Sequence, residues 1–302
     1  MTKAFSHSRA IGYALLAFTI WALGDSFTKL SGQTRLPAAK IIVVSSLFCA
    51  LTIFGVSAAR GRIAQLKPKR WKLEIVRGLF YVALSFVNVF SFTHFPLTTV
   101  YVVLFLCPVF VALFAALFLR EPLSWPQSLA ILAGFGGVLL ALHPSQEDFG
   151  NSFVMTSAVL ILFPVLAALN TVFTRFLSRT EHGESMALFP TIARTLIILP
   201  FFVHQFQPIT NEQMWYLAGM GIVGALGLLL MMDAIKYAPA ALLWPFQYSQ
   251  LVSGALLGFL IWHEVPSWPL VAGSAVIIAS GLYIAHHARR IEARALSVSI
   301  LR

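Results

Sequence analysis

Apolar residues run along this chain in long blocks separated by short polar segments, with no alternation of period two. Blocks of 18 or more such residues predict membrane-spanning helices, whereas a β-barrel would require alternation. The spans fall at 11–30, 38–58, 73–92, 97–119, 126–143, 151–173, 185–203, 213–235, 240–262 and 268–287, ten in all. The first follows a short basic lead and lacks a clear A-x-A site, so it reads as a retained helix rather than a cleaved signal.

One block appears twice. Phe95 to Pro126 is an apolar run that opens with Pro96 and closes on Arg120-Glu121-Pro122-Leu123-Ser124-Trp125-Pro126. Ala238 to Pro269 repeats it, from Pro239 to His263-Glu264-Val265-Pro266-Ser267-Trp268-Pro269. Leu and Ala matches arise by chance in such sequence, but the shared Pro, Glu and Ser-Trp-Pro do not. The chain is therefore expected to hold two homologous repeats, residues 1–143 and 151–287, with a tail at 288–302. A weaker echo sets Phe27-Thr28-Lys29 against Phe173-Thr174-Arg175.

Composition agrees. The 302 residues are 59% hydrophobic and 11% charged, against roughly 25% charged in soluble domains. The net charge of +10 does not imply nucleic acid, because the charges lie between spans, where they set orientation. With the N-terminus in the cytoplasm, inner segments hold most of the Lys and Arg, including the run from Arg60 to Lys72 and the tail from Arg289. Only Lys29, Arg35 and Lys40 fall outside, and Arg77 and Arg194 fall within spans. Both termini are thus expected in the cytoplasm. Five spans per repeat is an odd number, so the second repeat must enter the membrane in the opposite sense. Inverted repeats of this kind characterise many secondary transporters, with the site near the midplane.

These features resemble the drug/metabolite transporter superfamily, and within it the EamA-type members. The first half is also similar to the branch that includes S-adenosylmethionine and riboflavin importers: an acidic residue in helix 1 (Asp25), an Arg opening helix 3 (Arg77-Gly78-Leu79) and a Pro at the entry to helix 4 (Pro96). That branch often carries an Arg in helix 2. Here the stretch reads Val43-Val44-Ser45-Ser46, and the second half carries Arg194 instead.

The candidate substrate-binding residues are those that are polar or aromatic at mid-depth. Arg194 costs roughly 2.5–3.5 kcal/mol to insert, so it needs a partner or a wet cavity. It suits an anionic substrate group, or else a structural bridge to Asp25 or Asp233. Asp25 could hold a coupling proton or cation, or pair with Lys29 one turn on. Asn88, Asn170 and Gln247 would line a cavity or bond across helices. Pro245 frees a backbone carbonyl beside Trp244, Gln247 and Tyr248, and Tyr101 and Phe105 align with Trp244 and Tyr248 as a second aromatic wall. Glu74 with Arg77, and Asp233 with Lys236, read as interfacial pairs. Glu121 and Glu264 read as structural turn residues. Gly221, Gly224 and Gly227, with Gly254 and Gly258, read as close-packing faces.

No H-E-x-x-H, P-loop or Cys/His cluster with metal spacing occurs in the sequence, so no cofactor or metal is expected. Cys49 and Cys107 lie in apolar runs and read as small core residues. The expectation is an all-α integral membrane protein of ten spans in the cytoplasmic (inner) membrane, and not an enzyme. It would move a small organic metabolite by alternating access, with the lipid bilayer and a coupling proton or cation as further partners and no nucleic acid. An exporter of the same fold is the alternative, and a membrane enzyme or channel fits less well.

Overall fold

The computed structural model describes residues 2–119, 151–178, 180–203, 208–237, 246, 247 and 249–280, with scattered positions at 125–140 and 282–286. All regular structure among the described residues is helical. The helices are α1 (Thr2–Gln33), α2 (Ala38–Ala59), α3 (Trp71–His94), α4 (Leu97–Leu104), α5 (Cys107–Leu119), α6 (Asn151–Leu177), α7 (Gly183–Val203), α8 (Asn211–Tyr237) and α9 (Ser249–Trp262). A tenth, α10, is the apolar helix Trp268–Ser280. Arg9–Gln33, Ala38–Ala59, Trp71–His94, Gly183–Phe202 and Asn211–Ala234 are each long and apolar enough to cross a membrane.

The surface is apolar, as lipid contact requires: Leu51, Leu196, Trp215 and Val252 are all strongly exposed. Several buried hydroxyls are satisfied locally. Ser26, Thr28, Ser45, Thr191 and Thr195 each donate a hydroxyl to the carbonyl four residues back.

One expected span is two helices. Residues 97–119 were expected to be continuous, but the chain breaks at Phe105-Leu106 between α4 and α5. Pro108 has no N–H to give the Leu104 carbonyl. The chain tightens there, with Leu106 N–H bonding to the Val103 carbonyl at 3.0 Å. The side chains around the break, from Tyr101 to Cys107, are all buried.

Contacts between the two halves dominate the packing. α1 packs chiefly on α8, α2 on α7 and α8, α3 on α7 and α6, and α4 on α9. The α1–α8 and α2–α8 seams rely on glycine. A Cβ at Gly219 would press on the Phe27 ring, and one at Gly221 would strike the backbone of α2 at Ser45. Bare backbone lets these helices approach closely, as the glycine spacing suggested.

Helix ends gather in two clusters. At one end Lys29 (α1), Leu97 (start of α4) and Glu264 (just past α9) meet. At the other, Arg60 and Arg62 follow α2 and reach Asp233 near the end of α8, at 2.7 and 3.7 Å. Arg62 also pairs with Glu184 at the start of α7, at 2.9 Å. Glu181 accepts from the backbone N–H groups of Lys69 and Arg70 ahead of α3, at 2.9 and 2.6 Å. The 22 residues of α2 separate the two clusters by about 33 Å, at 1.5 Å per residue. Asp233, read from the sequence with Lys236 as an interfacial pair, reaches the α2 end through Arg60 and Arg62; the Lys236 side chain lies outside the described residues.

Candidate functional site

A cavity of about 850 Å³ lies between the halves. α1 contributes Phe18, Trp21 and Asp25, and α3 contributes Arg77, Tyr81 and Asn88. α6 adds Asn170, α8 adds Met231, and Gln247 and Gln250 complete one wall. At its mouth stand Gln65, Glu181, His182 and Glu184, all from the Arg62 end of the molecule. No described residue of the Lys29 end is in the lining.

Four sequence candidates therefore share this cavity: Asp25, Asn88, Asn170 and Gln247. The Tyr101 hydroxyl donates to Asp25 Oδ2 at 2.9 Å. Tyr101 itself is fully buried, and a Cβ at Gly254 on α9 would overlap its ring. Tyr101, expected as part of an aromatic wall, is not among the described lining residues; its hydroxyl holds the Asp25 carboxylate, while Trp21 and Phe18 line the cavity. Trp244 and Tyr248 lie outside the described residues.

Asp25 does not pair with Lys29, as one reading of the sequence had it. Lys29 turns to Glu264 Oε1 and lies over the Trp262 ring at 4.5 Å. Nor does Arg194 bridge to Asp25 or Asp233. Its guanidinium donates to Ser85 Oγ at 2.8 Å and sits 4.9 Å from the centroid of the Tyr81 ring. Tyr81 lines the cavity and Arg194 does not. The anion clamp expected of Arg194 is thus placed one layer behind the wall, where it braces Tyr81 and Ser85.

The guanidinium that does line the cavity is Arg77, read from the sequence as half of an interfacial pair. The pair exists, with Arg77 Nη1 3.2 Å from Glu74 Oε2, but both side chains are almost wholly buried. Arg77 Nε also donates to Asn170 Oδ1 at 3.4 Å. Its place in the second turn of α3 after a basic loop concealed this, because the spacing of Glu74 and Arg77 fits a surface pair equally well.

Glu264 is more than a turn residue. α9 ends with His263 in the left-handed region at φ 57°, its N–H bonding the Phe259 carbonyl at 3.0 Å. That turn aims the Glu264 carboxylate back across the halves. One oxygen takes Lys29, and the other accepts the N–H of Leu97 at 3.2 Å. Pro96 precedes α4 and offers no side-chain cap, so a carboxylate from the other half caps it. Gly258 leaves the room: a Cβ there would lie 3.0 Å from Glu264 Oε2.

Comparison with known proteins completes the picture. The model of the EamA-like transporter family matches residues 8–143 and again 155–285. The chain belongs to the EamA-like transporter family. It is therefore a multi-pass membrane transporter of a small molecule, not an enzyme. An S-adenosylmethionine uptake transporter of Rickettsia bellii is 26% identical over 94% of this transporter and 96% of its own length. A pseudopaline exporter of Pseudomonas aeruginosa is 27% identical over 88% and 92%. A riboflavin transporter of Brucella anthropi is 26% identical over 89% and 95%. A crystal structure at 19% identity superposes with a TM-score of 0.66 over 96% of this transporter and 99% of its own chain, which shows the shared fold.

Proposed function

We propose that this transporter is a secondary carrier of a small organic metabolite, in the class of amino acids, S-adenosylmethionine and riboflavin, working by alternating access. The observation that carries the reading is the cavity between the halves, with a mouth at one end and a latch at the other. Ten spans as two inverted repeats, residues 1–143 and 151–287, suit the way helix ends gather. α1 ends, α4 begins and α9 ends in the same cluster, while α2 and α8 end and α7 begins in the other. That is the pattern of two halves inserted in opposite senses.

The excess of basic residues supports an orientation with the Arg62 end, both termini and the cavity mouth in the cytoplasm of a cell whose inner membrane holds the protein. In this state the site faces inward, and Lys29, Glu264 and Leu97 close it to the outside. Asp25, Asn88, Asn170 and Gln247 would contact substrate, with Trp244 and Tyr248 as further candidates, and Arg194 and Tyr101 would support the wall. A proton or cation would couple the cycle. The relatives include both uptake and export carriers, so export by the same cycle is the second reading. Uptake of labelled S-adenosylmethionine, riboflavin and amino acids into proteoliposomes tests the proposal. Saturable uptake of one class is expected, and flux that rises without saturation would overturn it in favour of a channel.

A further inference from the structure

The charged groups of the cavity are biased toward holding positive charge. Arg77 is the one Lys or Arg among the described lining residues, and Glu74 offsets its charge. Three carboxylates line the same space. Glu184 is paired with Arg62, and Glu181 receives two backbone N–H groups, both at the mouth. Asp25 lies deeper, and among the described residues it has no ion-pair partner: Lys29 is held by Glu264, and the Asp25 contact is the Tyr101 hydroxyl. A carboxylate at that depth needs a proton or a cation to offset its charge.

A second, independent observation points to the same cavity. Gln247 is 4% exposed, lines the cavity, and its Oε1 has no hydrogen-bond partner. An orphaned buried acceptor awaits a donor. Trp21 and Phe18 stand edge to face at 5.6 Å in the same wall, and aromatic faces favour cations over anions.

Resting on the carrier reading above, we propose that Asp25 and Gln247 form a subsite for the cationic group of the substrate, an ammonium or sulfonium centre. The transporter therefore selects organic cations and zwitterions over uncharged compounds of the same shape. The anionic clamp suggested by Arg194 is not the selecting element. Tyr101 orients the carboxylate, with its own hydrogen committed to Oδ2. The second oxygen of Asp25 and the carbonyl of Gln247 remain for the ligand.

The test uses matched pairs that differ by one cationic centre, with binding read by intrinsic tryptophan fluorescence or thermal shift of the detergent-purified full chain. S-adenosylmethionine is set against its thioether counterpart, S-adenosylhomocysteine, and an amino acid against its deaminated acid. The wild type is expected to prefer the cationic member of at least one pair tenfold or more. Asp25→Asn should cut that preference below threefold and Asp25→Glu should keep most of it. Gln247→Leu should weaken cation binding several-fold without unfolding the protein, since its Oε1 makes no internal bond to lose. Equal binding of both members of every pair, binding of no cation, or selectivity that survives Asp25→Asn in folded protein would each overturn the subsite. Asp25-dependent cation binding in a protein that carries nothing across vesicles would uphold the subsite and sink the carrier reading instead.

Discussion

Glu264→Gln should unlock the closed end of the transporter. The amide keeps the size of the side chain and can still accept the Leu97 N–H, but it removes the charge opposite Lys29. Those two side chains are only 9% and 19% exposed, so water screens the pair weakly. Removing one partner of a buried pair costs about 3–5 kcal/mol. The Trp262 ring beneath Lys29 offsets about 0.5–2 kcal/mol, and the amide oxygen recovers part of the rest. A net loss of about 2 kcal/mol remains, and it falls on the state in which α1, α4 and α9 are joined. That is a shift of about 30-fold toward the outward-open state. The assay is labelling of Asn88→Cys, in a background lacking Cys49 and Cys107, by a membrane-impermeant thiol reagent applied from outside. Labelling should accelerate at least tenfold in Glu264→Gln. Lys29→Gln should act alike, the double variant should add little, and the exchange Lys29→Glu with Glu264→Lys should restore slow labelling. A rate within twofold of the parent, or additive effects of the two single changes, would refute the latch.

Two further outcomes follow from the packing. Gly254→Ala drives a methyl into the Tyr101 ring, so it should destabilise the protein by about 1–3 kcal/mol in thermal unfolding. It should also weaken cation binding by displacing the hydroxyl that holds Asp25. Arg194→Ala removes a brace and leaves Ser85 without its donor, which should cost stability of about 1–3 kcal/mol while KM changes less than threefold. A tenfold rise in KM in a fully stable variant would return the guanidinium to the substrate site.

The lengths and apolar character of the spans were legible in the sequence because the bilayer imposes them on every residue. Ala38–Ala59 and Gly183–Val203 fall within two residues of the expected 38–58 and 185–203. Side-chain partners were less legible. Lys29 stands one turn from Asp25, and local spacing favoured that pair, but the choice was made by a turn 235 residues away. The sequence flagged Glu264 through its repeat with Glu121, which marked its position without its partner. Arg77 and Arg194 both looked buried or interfacial from hydropathy alone. Which of them meets the cavity depends on helix rotation, which α7 and α3 fix by packing the Cβ of Ala193 against Gly78. The break at Pro108 was foreseeable in principle, because an interior proline removes a helical hydrogen bond, but the unbroken apolar run masked it.

The central claim is that one cavity is exposed in turn to the two sides. Counterflow measures this most directly. Vesicles containing the purified transporter and loaded with unlabelled S-adenosylmethionine, or with the cation bound most tightly in the matched-pair test, would be diluted into a trace of the same labelled compound. A carrier should take up label transiently above equilibrium, saturably, and faster than into empty vesicles. Uptake that ignores the internal load and rises in proportion to external concentration would contradict the account.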